Sequence, residues 1–327
     1  MKKDFILNNK LDSSFFAEAL SLISKARYIV IVSHINPDAD TISSALALSS
    51  YFSENKINHK VFNVRTADIP SRLDFLHRFD KIVQELPKTF DLMISVDCGA
   101  RSRLGIPIPK DIPLINFDHH KSNDGFGTVN LVDENKSSTA EVVYDFFKFN
   151  GLYITKNTAS ALYVGIYEDS LAFTSSRCDE GTYEKINFLV KCGADPSLIA
   201  SLLIRRDSLA KYRILPKIFD SLELHEEGEV ASIYALPLWF KQTGAVYHET
   251  EVALDMIFSM SIVKIAVYFR IVNEKVRVSL RSKDNIDVSK IAAIFGGGGH
   301  FNAAGCAIDT LDIYKAKELV LKEISEK

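Results

Sequence analysis

Five short clusters carry the residues able to do chemistry. The first is His34-Ile35-Asn36-Pro37-Asp38-Ala39-Asp40. Asp38 and Asp40 lie two apart in a turn, so both carboxylates can converge on one region, and Pro37 fixes the backbone between them and His34. Hard divalent cations take carboxylate oxygen, and imidazole suits later transition metals. A mixed His and Asp set therefore leans toward manganese or iron over magnesium alone. A plainer role is open here too, with Asp38 or Asp40 capping the helix that follows.

The second cluster is Val96-Asp97-Cys98-Gly99-Ala100, and the third is Asp118-His119-His120. In the third, one imidazole can ligate a metal while the other meets a phosphate, and Asp118 can orient an imidazole from behind. The fourth is Gly165-Ile166-Tyr167-Glu168-Asp169-Ser170. Neighbours on a helix point about 100° apart, so only one of Glu168 and Asp169 should face a site. The fifth is Gly296-Gly297-Gly298-Gly299-His300-Phe301-Asn302-Ala303-Ala304-Gly305. A glycine run allows close backbone approach and can present N–H groups to phosphate. It is neither a Walker loop nor a G-x-G-x-x-G fingerprint. Arg281 follows a strand pattern and can supply a forked contact to phosphate.

The elements that must position these groups can be read from periodicity. Phe15 to Ile23 has helical spacing, and Tyr28 to Val32 is a short β-branched run ending at Ser33-His34. Ala39 to Phe52 reads as a helix. Lys60 to Val64, Leu92 to Val96 and Leu114 to Phe117 read as strands, the last two ending at Asp97 and Asp118. Strands alternating with helices predict a doubly wound, mainly parallel sheet, and such sheets bind ligands beyond the carboxyl ends of their strands. Helices are predicted over Thr139 to Phe149, Thr158 to Glu168, Thr182 to Val190 and Pro196 to about Leu222.

The basic stretch Arg205 to Lys217 reads as a helical connector with a solvated face; a sharper reading has part of it lining a phosphate cleft. Beyond it come a strand at Val230 to Leu236, a hairpin about Asn273-Glu274, a helix at Val288 to Phe295 and a closing helix at Tyr314 to Ile324. The expected fold class is α/β: an N-terminal catalytic domain over 1–195, a helical linker over 196–225 and a smaller α+β domain over 226–327.

Composition narrows the function classes. The chain has 327 residues, 47% hydrophobic and 25% charged, with a formal charge of -3. That suits a soluble globular protein and disfavours long nucleic acid, whose backbone demands many basic contacts. Cys98, Cys178, Cys192 and Cys306 form no C-x-x-C pair, which argues against structural zinc and a disulfide framework. The apolar stretch Phe5 to Leu7 is too short for a signal peptide, and no run approaches a membrane span. A cytoplasmic location is expected. His59, His77, His225 and His248 have no evident partners, and Trp239 reads as core.

Taken together, H-x-x-P-D-x-D, V-D-C-G-A, D-H-H, a late Asp and G-G-G-G-H-x-x-A-A-G resemble the DHH phosphoesterase family with its DHH-associated C-terminal domain. The resemblance spans nearly the whole chain and is greatest to nanoRNases that also act on 3′-phosphoadenosine 5′-phosphate (pAp). It implies His34, Asp38 and Asp97 around one divalent ion, and Asp40, Asp97, His119 and Asp169 around another, with Asp97 bridging. The ions would be manganese by first choice, with magnesium or cobalt the alternatives. His120 would contact the scissile phosphate or assist proton transfer, and Arg281, Gly298, Gly299 and His300 would bind the far end of the substrate.

The implied activity is hydrolysis of short RNA, roughly two to five nucleotides, and of pAp, by water activated between the metals. Partners would be short RNA or a nucleotide, no membrane, and at most a second copy of the chain. Rival readings are a cyclic-di-AMP, pApA or pGpG phosphodiesterase, a nucleotide sensor that binds without cutting, and a pyrophosphatase. Two departures from the family pattern stand out: Thr41-Ile42-Ser43-Ser44 where a small residue, Ile and Gly-Ser are frequent, and Ser170-Leu171 where Thr-Gly is frequent.

Overall fold

The computed structural model describes residues 13–66, 69–109 and 111–325. The chain divides into two compact units, the first ending at Arg206 and the second beginning at Asp207.

The first unit runs α1 (Ser13–Lys25), β1 (Ile29–Ser33), α2 (Ala39–Glu54), β2 (His59–Phe62), β3 (Ile82–Val83), β4 (Leu92–Val96), β5 (Leu114–Asp118), β6 (Val129–Val132), α3 (Thr139–Phe149), α4 (Lys156–Asp169), α5 (Glu180–Lys191) and α6 (Pro196–Ile204). Its six strands form one sheet in the order β3-β2-β1-β4-β5-β6, and every pairing is parallel. Every residue of β1, β4 and β5 is buried, which explains why they read as unbroken apolar runs rather than alternating ones. β1, β4 and β5 are neighbours, so the chain leaves all three carboxyl ends side by side.

The helices meet beside those ends. α2 carries Ser43, Ser44, Ala45, Ala47, Ser49 and Ser50, all buried, and this small-residue surface lets α4 lie close. Gly165 of α4 is part of that approach: a Cβ there would come within 2.6 Å of the Ala140 Cβ and 2.7 Å of Asp40 Oδ1.

The second unit runs α7 (Leu209–Phe219), β7 (Glu223–His225), β8 (Val230–Ala235), α8 (Pro237–Thr243), α9 (Val252–Phe258), β9 (Ile265–Val272), β10 (Lys275–Ser282), α10 (Val288–Ile294), β11 (Gly298–His300), β12 (Ala303–Ile308) and α11 (Ile313–Ser325). The sheet order is β11-β12-β10-β9-β8-β7, antiparallel except for the parallel β8–β9 pair. Asn273 and Glu274 turn the β9–β10 hairpin with φ of 50° and 61°, the left-handed pair that a two-residue hairpin requires. One face of the sheet carries a core of Val267, Phe269, Val278, Leu280, Val288 and Val320. The other carries Ile214, Ile233, Leu254 and Tyr268.

One sequence expectation changes. The segment 196–225 is not one helical connector: α6 ends at Ile204, and α7 starts afresh at Leu209 with Ser208 as its N-cap. The Ser208 side chain accepts from Lys211 N at 3.0 Å, competing with helix continuation in the way serine does. The glycine run, which shows no element by periodicity, contains an edge strand, Gly298–His300, paired with Ala303–Gly305. Among the described residues no single helix is long and apolar enough to cross a membrane.

Candidate metal centre

The first four sequence clusters come together at the carboxyl ends of β1, β4 and β5. His34 follows β1. Asp38 is the N-cap of α2, its carboxylate accepting from Thr41 N at 3.0 Å, and Asp40 lies in the first turn. Asp97 follows β4 with φ of 55°, a left-handed backbone that Asp tolerates better than most residues. His119 and His120 follow β5, and Asp169 closes α4.

Asp97 is the hub. Its Oδ2 lies 3.6 Å from His34 Nε2, and its Oδ1 lies 3.6 Å from both His119 Nε2 and His120 Nδ1. His119 Nε2 is 3.4 Å from Asp169 Oδ2. Donor atoms of His34, Asp38 and Asp97 lie within 4.8 Å of one another; so do those of Asp40, His119 and Asp169, and those of Asp97, His119 and His120. Glu168, the neighbour of Asp169, turns away to pair with Arg72.

Backbone contacts set the imidazoles. His34 Nδ1 lies 2.7 Å from the Ile35 carbonyl, and His119 Nδ1 lies 3.2 Å from that of Lys136. A carbonyl only accepts, so each Nδ1 carries the proton and each Nε2 lone pair faces the cluster. His120 also carries a proton on Nδ1, but donates it to a carboxylate, Asp118 Oδ1, at 2.7 Å. Gly99 permits this crossing of two motifs, because a Cβ there would meet the His120 Cβ at 3.3 Å.

Hydroxyls and helix amides hold the carboxylates. Asp97 accepts from Thr41 Oγ1 at 2.6 Å and from Thr139 Oγ1 at 2.9 Å. Asp40 accepts from the amides of Thr139 and Ala140 at 2.6 and 3.0 Å, at the electropositive start of α3. Thr41 Oγ1 also lies 2.7 Å from His34 Nε2 and 2.9 Å from Asp38 Oδ1. One hydroxyl proton thus faces three groups that each want a donor.

The electrostatics match. Burial and the charges of Asp97 and Asp169 raise Asp40 well above the ordinary carboxylate range. Burial first, then the charges of Asp97 and Asp38 against the pull of His119, push Asp169 up to about 6. Burial would raise Asp97 as well, but His34, His119 and His120 reverse that and hold it far below its usual value. The hydrogen bond to Asp118 raises His120.

This donor set fits divalent cations. Among the described residues Asp169 Oδ2 has no hydrogen-bond partner although it is buried, a costly state that a cation would relieve. Four carboxylates converge with two imidazole nitrogens, and that nitrogen and oxygen mixture is that of the later first-row metals.

Sequence reasoning missed several participants. Thr139, 42 residues from Asp97 in the chain, reads in the sequence only as a helix start. Asn123 donates to Asp118 Oδ2 at 2.6 Å. Arg103 Nη2 sits 3.3 and 3.4 Å from the two ring nitrogens of His34, and Arg177 Nη1 sits 3.4 Å from His119 Nδ1. The position of Arg103, six residues beyond Asp97, was the available signal.

The residues of the fifth cluster belong to the second unit. Arg281 on β10 stands opposite Ala303, and Ala303 stands opposite His300, so three strands place these positions in one line. Gly298 and Gly299 pair with Gly305 and Ala304. Gly299 has φ of 150°, and a Cβ there would come within 2.5 Å of the Ala303 carbonyl. β11 is an edge strand, so one side of its backbone is unpaired by the sheet. The His300 side chain lies outside the described structure.

Residues 28–166 match the DHH family, N-terminal domain, and residues 236–326 match the DHHA1 domain. The bifunctional oligoribonuclease and PAP phosphatase NrnA of Thermus thermophilus is 28% identical over 95% of this chain and 92% of its own. That of Bacillus subtilis is 26% identical over 90% of this chain and 94% of its own. An exopolyphosphatase-related protein from Bacteroides fragilis superimposes with a TM-score of 0.87 at 23% identity, covering 95% of this chain and 96% of its own. RecJ of T. thermophilus in complex with Mn2+ gives 0.57 at 14% identity, over 98% of this chain and 55% of its own.

Proposed function

For a chain that carries a DHH family N-terminal domain followed by a DHHA1 domain, we propose a metal-dependent phosphoesterase that hydrolyses short oligoribonucleotides to mononucleotides and pAp to AMP. The observation that carries this reading is the convergence of His34, Asp38, Asp40, His119 and Asp169 about Asp97, in a chain similar over nearly its whole length to two NrnA proteins.

His34, Asp38 and Asp97 hold one divalent ion, and Asp40, Asp97, His119 and Asp169 hold the second. Manganese is the proposed metal, on the strength of the two imidazoles. When bound, the ions supply Lewis acidity toward phosphate oxygen and water. The protein does the remaining work. Asp118 fixes the His120 ring and favours its protonated form, whose Nε2–H can donate to a phosphate oxygen or to the leaving oxygen. Thr41 and Thr139 fix the hub carboxylate between the two ligand groups. Arg281 and the backbone of Gly298, Gly299 and His300 bind the nucleotide. The location is cytoplasmic.

The test is hydrolysis of an RNA dinucleotide, pAp and cyclic-di-AMP, each with manganese, magnesium or cobalt. Release of mononucleotide and AMP from the first two, lost in Asp97→Ala, is expected. Preference for cyclic-di-AMP would move the chain to cyclic-dinucleotide turnover. Binding of all three without cleavage would make it a sensor.

A further inference from the structure

The second unit leaves two arginines unexplained. Arg270 on β9 and Arg277 on β10 are directly opposite in the ladder, so their side chains leave the same face of the sheet. Like charges in that position repel and weaken the sheet. The face is the one shared by Ser279 and Arg281, because the alternate residues Val276, Val278 and Leu280 point into the opposite core.

Neither guanidinium is neutralised in the usual way. The Arg270 side chain is only 11% exposed, yet among the described residues its one acidic partner is the largely exposed Glu251 at 3.3 Å. Its Nε and Nη1 are buried and, among the described residues, have no hydrogen-bond partner. Its guanidinium also lies 5.4 Å from the centre of the Tyr268 ring. Arg277 is exposed, and among the described residues it has no hydrogen-bond or ion-pair partner. Beside it, β12 offers Ala307, Gly305 and Ala303 opposite Arg277, Ser279 and Arg281. This is a floor without large side chains, open to a flat or extended ligand.

We propose that Arg270 and Arg277 form a second phosphate subsite, which holds a phosphate of the RNA strand other than the one held by Arg281. Arg277 is the outer contact, and Arg270 is the inner charge that repulsion alone would not keep there. β10 rises about 3.3 Å per residue, so Arg277 and Arg281 stand about 13 Å apart along it, farther than one nucleotide presents its own phosphate groups. The subsite therefore favours oligomers over pAp. Asp255 stands 3.9 Å from Arg281, so Arg277 presents the less compensated charge of the two. The inference rests on the reading of the chain as a hydrolase of short RNA.

The experiment compares wild type with Arg277→Glu, Arg277→Ala and Arg277→Lys on an RNA pentamer, an RNA dinucleotide and pAp. Pentamer binding is also followed by fluorescence anisotropy in EDTA, where no cleavage occurs. Expected results are a pentamer KM raised about tenfold in Arg277→Glu, retained affinity in Arg277→Lys, and unchanged turnover of pAp. The salt dependence of pentamer binding should become shallower by about 0.7 in the log–log slope in Arg277→Ala. If wild type cuts neither RNA nor pAp, the functional reading fails. If it cuts both and Arg277→Glu leaves the pentamer KM within about twofold, the subsite is overturned.

Discussion

Asp118 Oδ1 accepts from His120 Nδ1 at 2.7 Å while its Oδ2 accepts from Asn123 at 2.6 Å, so the carboxylate is locked on both sides and the imidazole has one orientation. Asp118 is fully buried and His120 is partly exposed, the arrangement of an orienting group behind a working one. In Asp118→Asn the ring loses its fixed tautomer. We expect kcat to fall about 100-fold or more with little change in KM, and with both metal ions still bound. Steady-state kinetics together with metal counting by calorimetry checks this. Loss of metal along with activity would instead make Asp118 part of the ligand scaffold.

Thr41 bridges His34, Asp38 and Asp97 through one oxygen. Groups that orient metal ligands typically contribute a factor of about 10 to 100 in metal affinity. Thr41→Val keeps the shape and removes the hydroxyl. Calorimetric titration with manganese should show about tenfold weaker binding of one ion, and Thr41→Ser should restore it.

Glu141 lies under the site, within 2.8 Å of Lys185 Nζ and 2.6 Å of Ser137 Oγ. Burial alone would raise its carboxyl; Lys185, Ser137 and Thr182 more than reverse that and lower it. A lowered folded value means the unfolded chain binds the proton more readily. This contribution is therefore present above the ordinary Glu range and is lost as pH falls through the folded value. Glu141→Ala should destabilise the protein by about 3 kcal/mol by leaving Lys185 with Asp145 alone, and should flatten the acid limb of stability against pH. Urea melts at several pH values measure both.

Leu171, Ala172 and Phe173 follow Ser170 with φ of 53°, 56° and 66°. A left-handed backbone costs a branched side chain roughly 1–2 kcal/mol, and Leu171 has little burial to offset it, being 70% exposed. Leu171→Gly should stabilise the protein by about 1 kcal/mol, seen as a higher urea midpoint, and leave Asp169 unaltered. A lower midpoint would show that the leucine side chain has a role its exposure does not reveal.

The sequence by itself determined the ligand types and the strands that carry them. Runs such as Ile29–Ser33 and Leu92–Val96 are buried on both faces, so their unbroken apolar character needs no partner to be read. The β9–β10 hairpin was legible for a related reason, since its alternation and two-residue turn are local. What only the tertiary structure decided is which distant residues share the site. Thr41 and Thr139 reach Asp97 across 56 and 42 positions, and the Thr139 amide reaches Asp40 across 99. Those meetings follow from the ladder order β2-β1-β4-β5, which departs from chain order and is set by how the crossovers pack rather than by any local pattern. The same limit hid the β11 strand, because four glycines have no side chains to show a period. The opposition of Arg270 and Arg277, by contrast, follows from the two-residue turn itself, and only the burial of Arg270 and the scarcity of its partners needed the fold to show them.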